Sequence, residues 1–207
     1  MKNNIIGRKS EQDTLARIYE SRQSEFVAVC GRRRVGKTFL VREYFEQEMV
    51  FQTSGLAGGN TQEQLKNFFY TLRRYDRNVT SVPHDWLDAF EMLISYLDSL
   101  NGIERKVIFL DELPWMDTAG SNFISALEHF WNGWASARRD IVLIVCGSAT
   151  SWMMDKLINN HGGLYGRLTH RLFLQPFSLG ESETFLKTKG MMLSRYELAE
   201  LYMILGG

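Results

Sequence analysis

Short apolar runs punctuate the chain at regular intervals. Phe26–Cys30, Val107–Leu110 and Ile141–Cys146 carry no polar residue, and Met49–Thr53 and Leu172–Leu174 are two more strand-like segments. Longer stretches between them carry apolar residues at helical spacing. Leu15, Ile18 and Tyr19 mark a helix ending near Ser21, with Ser10 as expected N-cap and Asp13 as its acidic capping-box partner. Further helices are predicted over 37–48, 61–74, 85–100, 121–137, 151–157, 178–189 and 194–205. The clearest stripe is Phe123, Ile124, Leu127, Phe130, Trp131 and Trp134. Strands apolar on both faces and separated by helices predict an α/β fold, a parallel five-stranded sheet covered on both sides.

The first strand runs into Gly31-Arg32-Arg33-Arg34-Val35-Gly36-Lys37-Thr38 and then into the helix that begins at Lys37 and Phe39. This is the G-x-x-x-x-G-K-[ST] phosphate loop (Walker A) in its expected strand–loop–helix setting. The glycines let the backbone curl so that its N–H groups face phosphate oxygens, and the helix N-terminus adds its dipole. Lys37 is placed to reach the terminal phosphates and Thr38 to ligate Mg²⁺. Four matching positions arise by accident in roughly one chain in a hundred of this length, before the setting is counted.

Composition narrows the partners. The 207 residues suit one large α/β domain, or one domain with a small appendage. With 44% hydrophobic residues, 24 basic and 24 acidic side chains, the chain can bury a core and has no net charge with which to grip nucleic acid. Cys30 and Cys146 form no disulfide framework or zinc pattern, and His84, His129, His161 and His170 have no metal-ligand spacing. The start, Met1 to Asn4, leads into no signal-peptide core, and no apolar run reaches the length of a membrane helix. The expected setting is cytoplasmic and away from membranes. Arg73, Arg74 and Arg77 around Tyr75 read as a solvated helix end.

Leu110-Asp111-Glu112 closes an apolar strand. Asp111 is expected to hold Mg²⁺ through its water shell (Walker B), and Glu112 to polarise the attacking water as general base. Ser148 follows the Ile141–Cys146 strand, where ligands of open parallel sheets bind. It is a candidate sensor of phosphate or water, or equally an N-cap.

These motifs, with Ile6-Gly7-Arg8 before them and Gly166-Arg167…Leu174-Gln175-Pro176-Phe177-Ser178 after them, resemble the archaeal-type AAA-like ATPases. Those belong to the STAND group of signal-transducing P-loop ATPases, related to AAA+ proteins. The resemblance implies a P-loop NTPase of the additional-strand, catalytic-glutamate type with strand order 5-1-4-3-2, which brings Cys30 and Cys146 near one another as free thiols. It implies ATP and Mg²⁺ as cofactors, Ile6, Gly7 and Arg8 near the adenine, and Arg167 as a trans-acting finger or phosphate sensor. The alternative for Arg167 is a solvated loop arginine.

The family usually continues past a Gly-Gly-x-Pro element into a helical or winged-helix domain, and this chain stops at Leu205-Gly206-Gly207. The expected division is an ATPase domain over 1–190 and the start of a C-terminal helical region over 191–207, with an effector domain beyond. Self-association is open, and nucleic acid would be met only through further domains. The expected function is an ATP-binding, ATP-hydrolysing switch that regulates an effector. The alternatives are a nucleotide-binding scaffold with little hydrolysis, and a P-loop kinase. Against the kinase stand Asp111-Glu112 and the lack of an arginine-rich lid.

Overall fold

Strands that are apolar on both faces need cover on both faces, and the helices divide to supply it. The computed structural model describes residues 5–148, 150–159 and 162–205; Met1–Asn4, Ala149, Asn160, His161, Gly206 and Gly207, which include the chain start, one of the four histidines and the terminal Gly-Gly pair, lie outside the described residues. Strands β1 (Glu25–Gly31), β2 (Met49–Ser54), β3 (Lys106–Asp111), β4 (Ile141–Gly147) and β5 (His170–Leu174) form one parallel sheet in the order β2-β3-β4-β1-β5. This is the order the resemblance implied.

The pleat sends alternate side chains of β1 to opposite sides. Phe26, Ala28 and Cys30 join a core with α3 (Thr61–Tyr75), α4 (Trp86–Ser99) and α5 (Phe123–Gly133). Val27 and Val29 join the other core, with α1 (Lys9–Glu20) and α2 (Lys37–Tyr44). The first core is rich in rings: Phe90 stacks on Phe130, and Trp86 meets Phe123 edge-on. Trp131 is buried against Phe26, whereas Trp134 is half-buried beneath the Arg138 guanidinium.

The cysteines lie on adjacent strands one step out of register, since Val29 pairs with Cys146 and Cys30 with Gly147. Their side chains therefore enter different cores, on opposite faces of the sheet. Both are free thiols. Burial pushes Cys30 up to about 11. Burial, and then the Asp111 carboxylate, push Cys146 upward as well.

Several expected boundaries move. Ser10 does not cap α1: the cap is Arg8, in the left-handed conformation (φ 56°) with no side-chain cap bond, and Asp13 pairs instead with Lys9 at 2.7 Å. Helix α2 ends at Tyr44 because buried Phe45 leaves the helix, its carbonyl accepting the N–H groups of Glu48 and Met49. Helix α5 ends at Gly133, and a 3-10 turn carries Ala135–Ala137. Beyond β4, α6 (Thr150–Met153) widens into a π-turn over Met154–Ile158.

Helix α7 (Leu179–Thr188) packs with α8 (Arg195–Leu205), so this pair straddles residue 190, the expected domain boundary. Tyr202 on α8 donates to the Phe177 carbonyl at 3.0 Å.

The amino ends of the strands are tied by one arginine. Arg105 donates to the carbonyls of Ile18 (2.9 Å), Gln23 (2.8 Å) and Arg139 (2.7 Å), joining α1, the lead-in to β1 and the lead-in to β4. Next to it Arg138 and Lys106 pair with Asp140, and Arg138 above all holds its carboxyl far below the usual range against the opposing effect of burial. The carboxyl ends of the strands are thereby left to carry the site.

Candidate nucleotide site

The loop after β1 curls because its backbone leaves the ordinary region three times, at Gly31 (φ 145°), Arg34 (φ 67°) and Gly36 (φ 87°). At Gly31 a side chain is excluded twice over, by conformation and by contact. A Cβ there would collide with the Leu174 carbonyl oxygen on β5. Helix α2 begins at Lys37, so the loop ends on a helix N-terminus.

Lys37 is buried, and its ammonium donates to the carbonyls of Gly31 (2.9 Å) and Arg32 (2.8 Å). One residue on, Thr38 Oγ1 donates to Asp111 Oδ2 at 2.9 Å. Asp111 ends β3, is buried, and uses its other oxygen to accept the Glu112 N–H at 3.0 Å. The expected pair from the loop and the strand therefore meets in space.

Glu112 itself is left-handed (φ 47°, ψ 46°), a conformation that costs a side-chain-bearing residue on the order of 1–3 kcal/mol. It opens the short turn Leu113–Trp115. Gly147 lets the end of β4 close on that turn: a Cβ at Gly147 would stand 2.8 Å from Pro114 Cδ. The next residue, Ser148, donates from its hydroxyl to Glu112 Oε2 at 3.2 Å and accepts from Arg33 Nε at 3.4 Å. Thr38, Asp111, Glu112 and Ser148 thus form one connected group, with Lys37 next to Thr38 in the loop.

Beside the loop lies a cleft of about 380 Å³. Ile5, Ile6 and Arg8 form one wall, Arg34, Val35, Gly36 and half-exposed Phe39 the floor, and Phe177, Phe185 and Lys189 the other wall. The expected Ile6-Gly7-Arg8 element is therefore at the cleft. Arg8 donates to the Val35 carbonyl at 3.1 Å and lies over the Phe177 ring at 4.6 Å. Its backbone N–H goes to Glu181 Oε1 at 2.8 Å. The other oxygen of Glu181 accepts from the backbone and hydroxyl of Ser178, closing a capping box on α7. Burial raises the Glu181 carboxyl, but these bonds outweigh it and hold the group below the ordinary range.

An apolar slot flanked by cations and beside a phosphate loop suits a nucleotide base and its phosphates. The Thr38 hydroxyl and Asp111 carboxylate are hard oxygen donors of the kind Mg²⁺ takes, together with water and phosphate oxygens. Among the described residues no three His, Cys, Asp or Glu side chains form a metal cage.

Arg167 is not brought to this group. It lies in the turn before β5, which starts with His170 opposite Val27, whereas the loop leaves β1 at Gly31, about 13 Å further along the sheet. Arg167 is exposed near the amino ends of the strands. The three loop arginines also separate: Arg32 offers its carbonyl to Lys37, Arg33 reaches Ser148, and Arg34 lines the cleft.

No cleft role was read for Phe177, Phe185, Lys189 or Glu181, although Phe177 lies in the segment that carried the resemblance. The Ser178-x-x-Glu181 spacing was a readable capping signal; Phe185 and Lys189 had none.

A family described as an ATPase domain predominantly from Archaea matches residues 6–207. The chain is 26% identical over 181 residues to the uncharacterized protein MJECL04 of Methanocaldococcus jannaschii, a match covering 87% of this chain and 38% of that one. Its fold is similar to the Walker-type ATPase PABY2304 of Pyrococcus abyssi, with a TM-score of 0.71, 17% identity, and 99% of this chain and 64% of that chain covered. It is also similar to the Aeropyrum pernix ORC2 protein in its ADPNP–ADP complexes, with a TM-score of 0.60, 21% identity, and coverage of 91% and 54%. The chain thus spans 38% of that archaeal relative and less than two thirds of either solved chain.

Proposed function

The chain belongs to this family of ATPase domains predominantly from Archaea, and on that premise we propose that it binds and hydrolyses ATP as a cytosolic switch domain of the STAND kind. The observation that carries the reading is the 2.9 Å bond between Thr38 and Asp111, with Glu112 next to it. It unites a phosphate loop with a strand-end Asp-Glu pair, the arrangement that hydrolysis needs. The nucleotide complexes of the ORC2 protein support the choice of ligand.

In this reading Ile6, Gly7, Arg8 and Phe39 flank the base, and the loop from Gly31 to Thr38 cradles the phosphates. Lys37 moves its ammonium from two loop carbonyls to phosphate oxygens. Thr38, and Asp111 through water, would hold Mg²⁺, which would supply charge neutralisation at the phosphates. Glu112 accepts a proton from the attacking water, and Ser148 orients Glu112. Arg167 serves a neighbouring copy as a finger, which makes self-association part of the switch. The nucleotide state is read out through α7 and α8 to an effector domain.

A slow-hydrolysing scaffold is the second reading. It is favoured by the bonds that already occupy Lys37 and Glu112. Turnover of Mg-ATP by the wild-type chain and by the Lys37→Ala and Glu112→Gln variants decides between them. The expected result is weak nucleotide binding in Lys37→Ala, and retained binding with lost turnover in Glu112→Gln. Equal turnover in wild type and Glu112→Gln removes Glu112 as the base. Transfer of phosphate to an acceptor other than water would indicate a kinase.

A further inference from the structure

Among the three loop arginines, Arg33 alone reaches across to the strand-end groups. Its Nε donates to Ser148 Oγ at 3.4 Å, and that hydroxyl donates to Glu112 Oε2 at 3.2 Å. A serine hydroxyl has one proton. With the guanidinium occupying a lone pair, the proton is directed at the carboxylate, so the cation fixes which way the hydroxyl points. The chain runs from cation through hydroxyl to anion, an order in which each bond strengthens the next. The terminal nitrogens of Arg33 meet no acceptor among the described residues, and the side chain is exposed at the loop that holds the phosphates.

We propose that Arg33 is a positioning residue that reports an occupied terminal phosphate to Glu112 through Ser148. The inference rests on the ATPase reading above. Nε stays on Ser148 while the free terminal nitrogens take a γ-phosphate oxygen, so one planar group spans both. A diphosphate leaves those nitrogens empty and Glu112 less firmly held. This gives the three consecutive arginines unequal work, with Arg33 acting on turnover and not merely on phosphate attraction. Lysine keeps the charge but has no second donor at a fixed angle, so it cannot span the two groups.

The test compares wild type, Arg33→Ala, Arg33→Lys, Ser148→Ala and the Arg33→Ala/Ser148→Ala double variant. It measures kcat and KM for Mg-ATP, and Kd for ADP and a non-hydrolysable ATP analogue, with thermal unfolding to show that each variant is folded. Arg33→Ala and Arg33→Lys should each lose roughly ten- to a hundredfold in kcat, as expected for a bond to a charged group, with a smaller rise in KM. The double variant should turn over no more slowly than Ser148→Ala. Losses that multiply, wild-type kcat in Arg33→Lys, or an effect on KM alone overturn the proposal.

If wild type binds nucleotide without turnover, the readout is the ratio of analogue to ADP affinity. It should fall in both Arg33 variants and fall no further in the double variant; additive falls overturn the proposal. Failure of wild type to bind any nucleotide overturns the reading of the site itself, and is seen before any variant is compared.

Discussion

Removing the Glu181 carboxylate should loosen the nucleotide cleft and lower stability together. The carboxylate accepts the Arg8 N–H at 2.8 Å, the Ser178 N–H at 2.9 Å and the Ser178 hydroxyl at 3.0 Å. In Glu181→Ala the exposed Ser178 groups turn to water at little cost, and Ser178 still caps the residue 181 N–H. The Arg8 N–H, half-buried behind a left-handed residue, is left without an acceptor, which costs about 1–2 kcal/mol. For a chain of this size that corresponds to a fall in Tm of roughly 2–8 °C. Glu181→Gln keeps an acceptor and should lose about half as much.

The same change frees the Arg8 segment, whose guanidinium holds Val35 and covers Phe177, so nucleotide affinity should drop in parallel. The sign with pH follows from a carboxyl held below its ordinary range. Its contribution is complete above the unfolded pKa and fades as pH falls through the folded one. The difference in Tm between wild type and Glu181→Ala should therefore be full at neutral pH and shrink in acid below about pH 4. Differential scanning fluorimetry across pH and nucleotide titration check both. An unchanged Tm refutes the clasp, and a lowered Tm with unchanged affinity refutes its link to the cleft.

Three other outcomes follow from geometry. Gly31→Ala forces a Cβ against the Leu174 carbonyl in a disfavoured backbone region, so it should destabilise by about 2–4 kcal/mol and weaken nucleotide binding; denaturant unfolding reports the first, titration the second. Arg105→Ala leaves three carbonyls at the amino ends of the strands without their donor and should cost about 3 kcal/mol in the same assay, with the nucleotide Kd unchanged. Cys30 and Cys146 should resist a thiol-alkylating reagent at pH 8 in the folded chain and both react once it is unfolded, as counted by mass spectrometry, because burial blocks access and disfavours the thiolate.

The strands were legible because burial on both faces leaves little alternative to an unbroken apolar run, as in Ile141–Gly147. Helix ends were less so. Gly133 was a stop signal, but Trp134 continued the apolar pattern and hid it. Ser10 carried a cap signal, yet the chain turns at Arg8, whose N–H is taken by Glu181 far along the sequence. In the site, Lys37, Thr38 and Asp111 were legible because their chemistry fixes their spacing. The far wall of the cleft was not, since Phe177, Phe185 and Lys189 reach it only through the way α7 docks. The Arg33–Ser148 bond depends on side-chain rotamers across two loops, which no local pattern encodes.

The central place of β1 also bears on synthesis. Glu25 must wait for Val142 and Val27 for His170 before the strand that carries the phosphate loop has neighbours on both sides. A chain emerging amino end first holds the loop early but cannot hold it in shape, because its flanking partners are made late. Nucleotide can therefore stabilise the nascent protein only after β5 has left the ribosome. Until β4 emerges Phe26 to Cys30 is an unpaired apolar strand, and until β5 follows it keeps one open edge in need of a chaperone's protection.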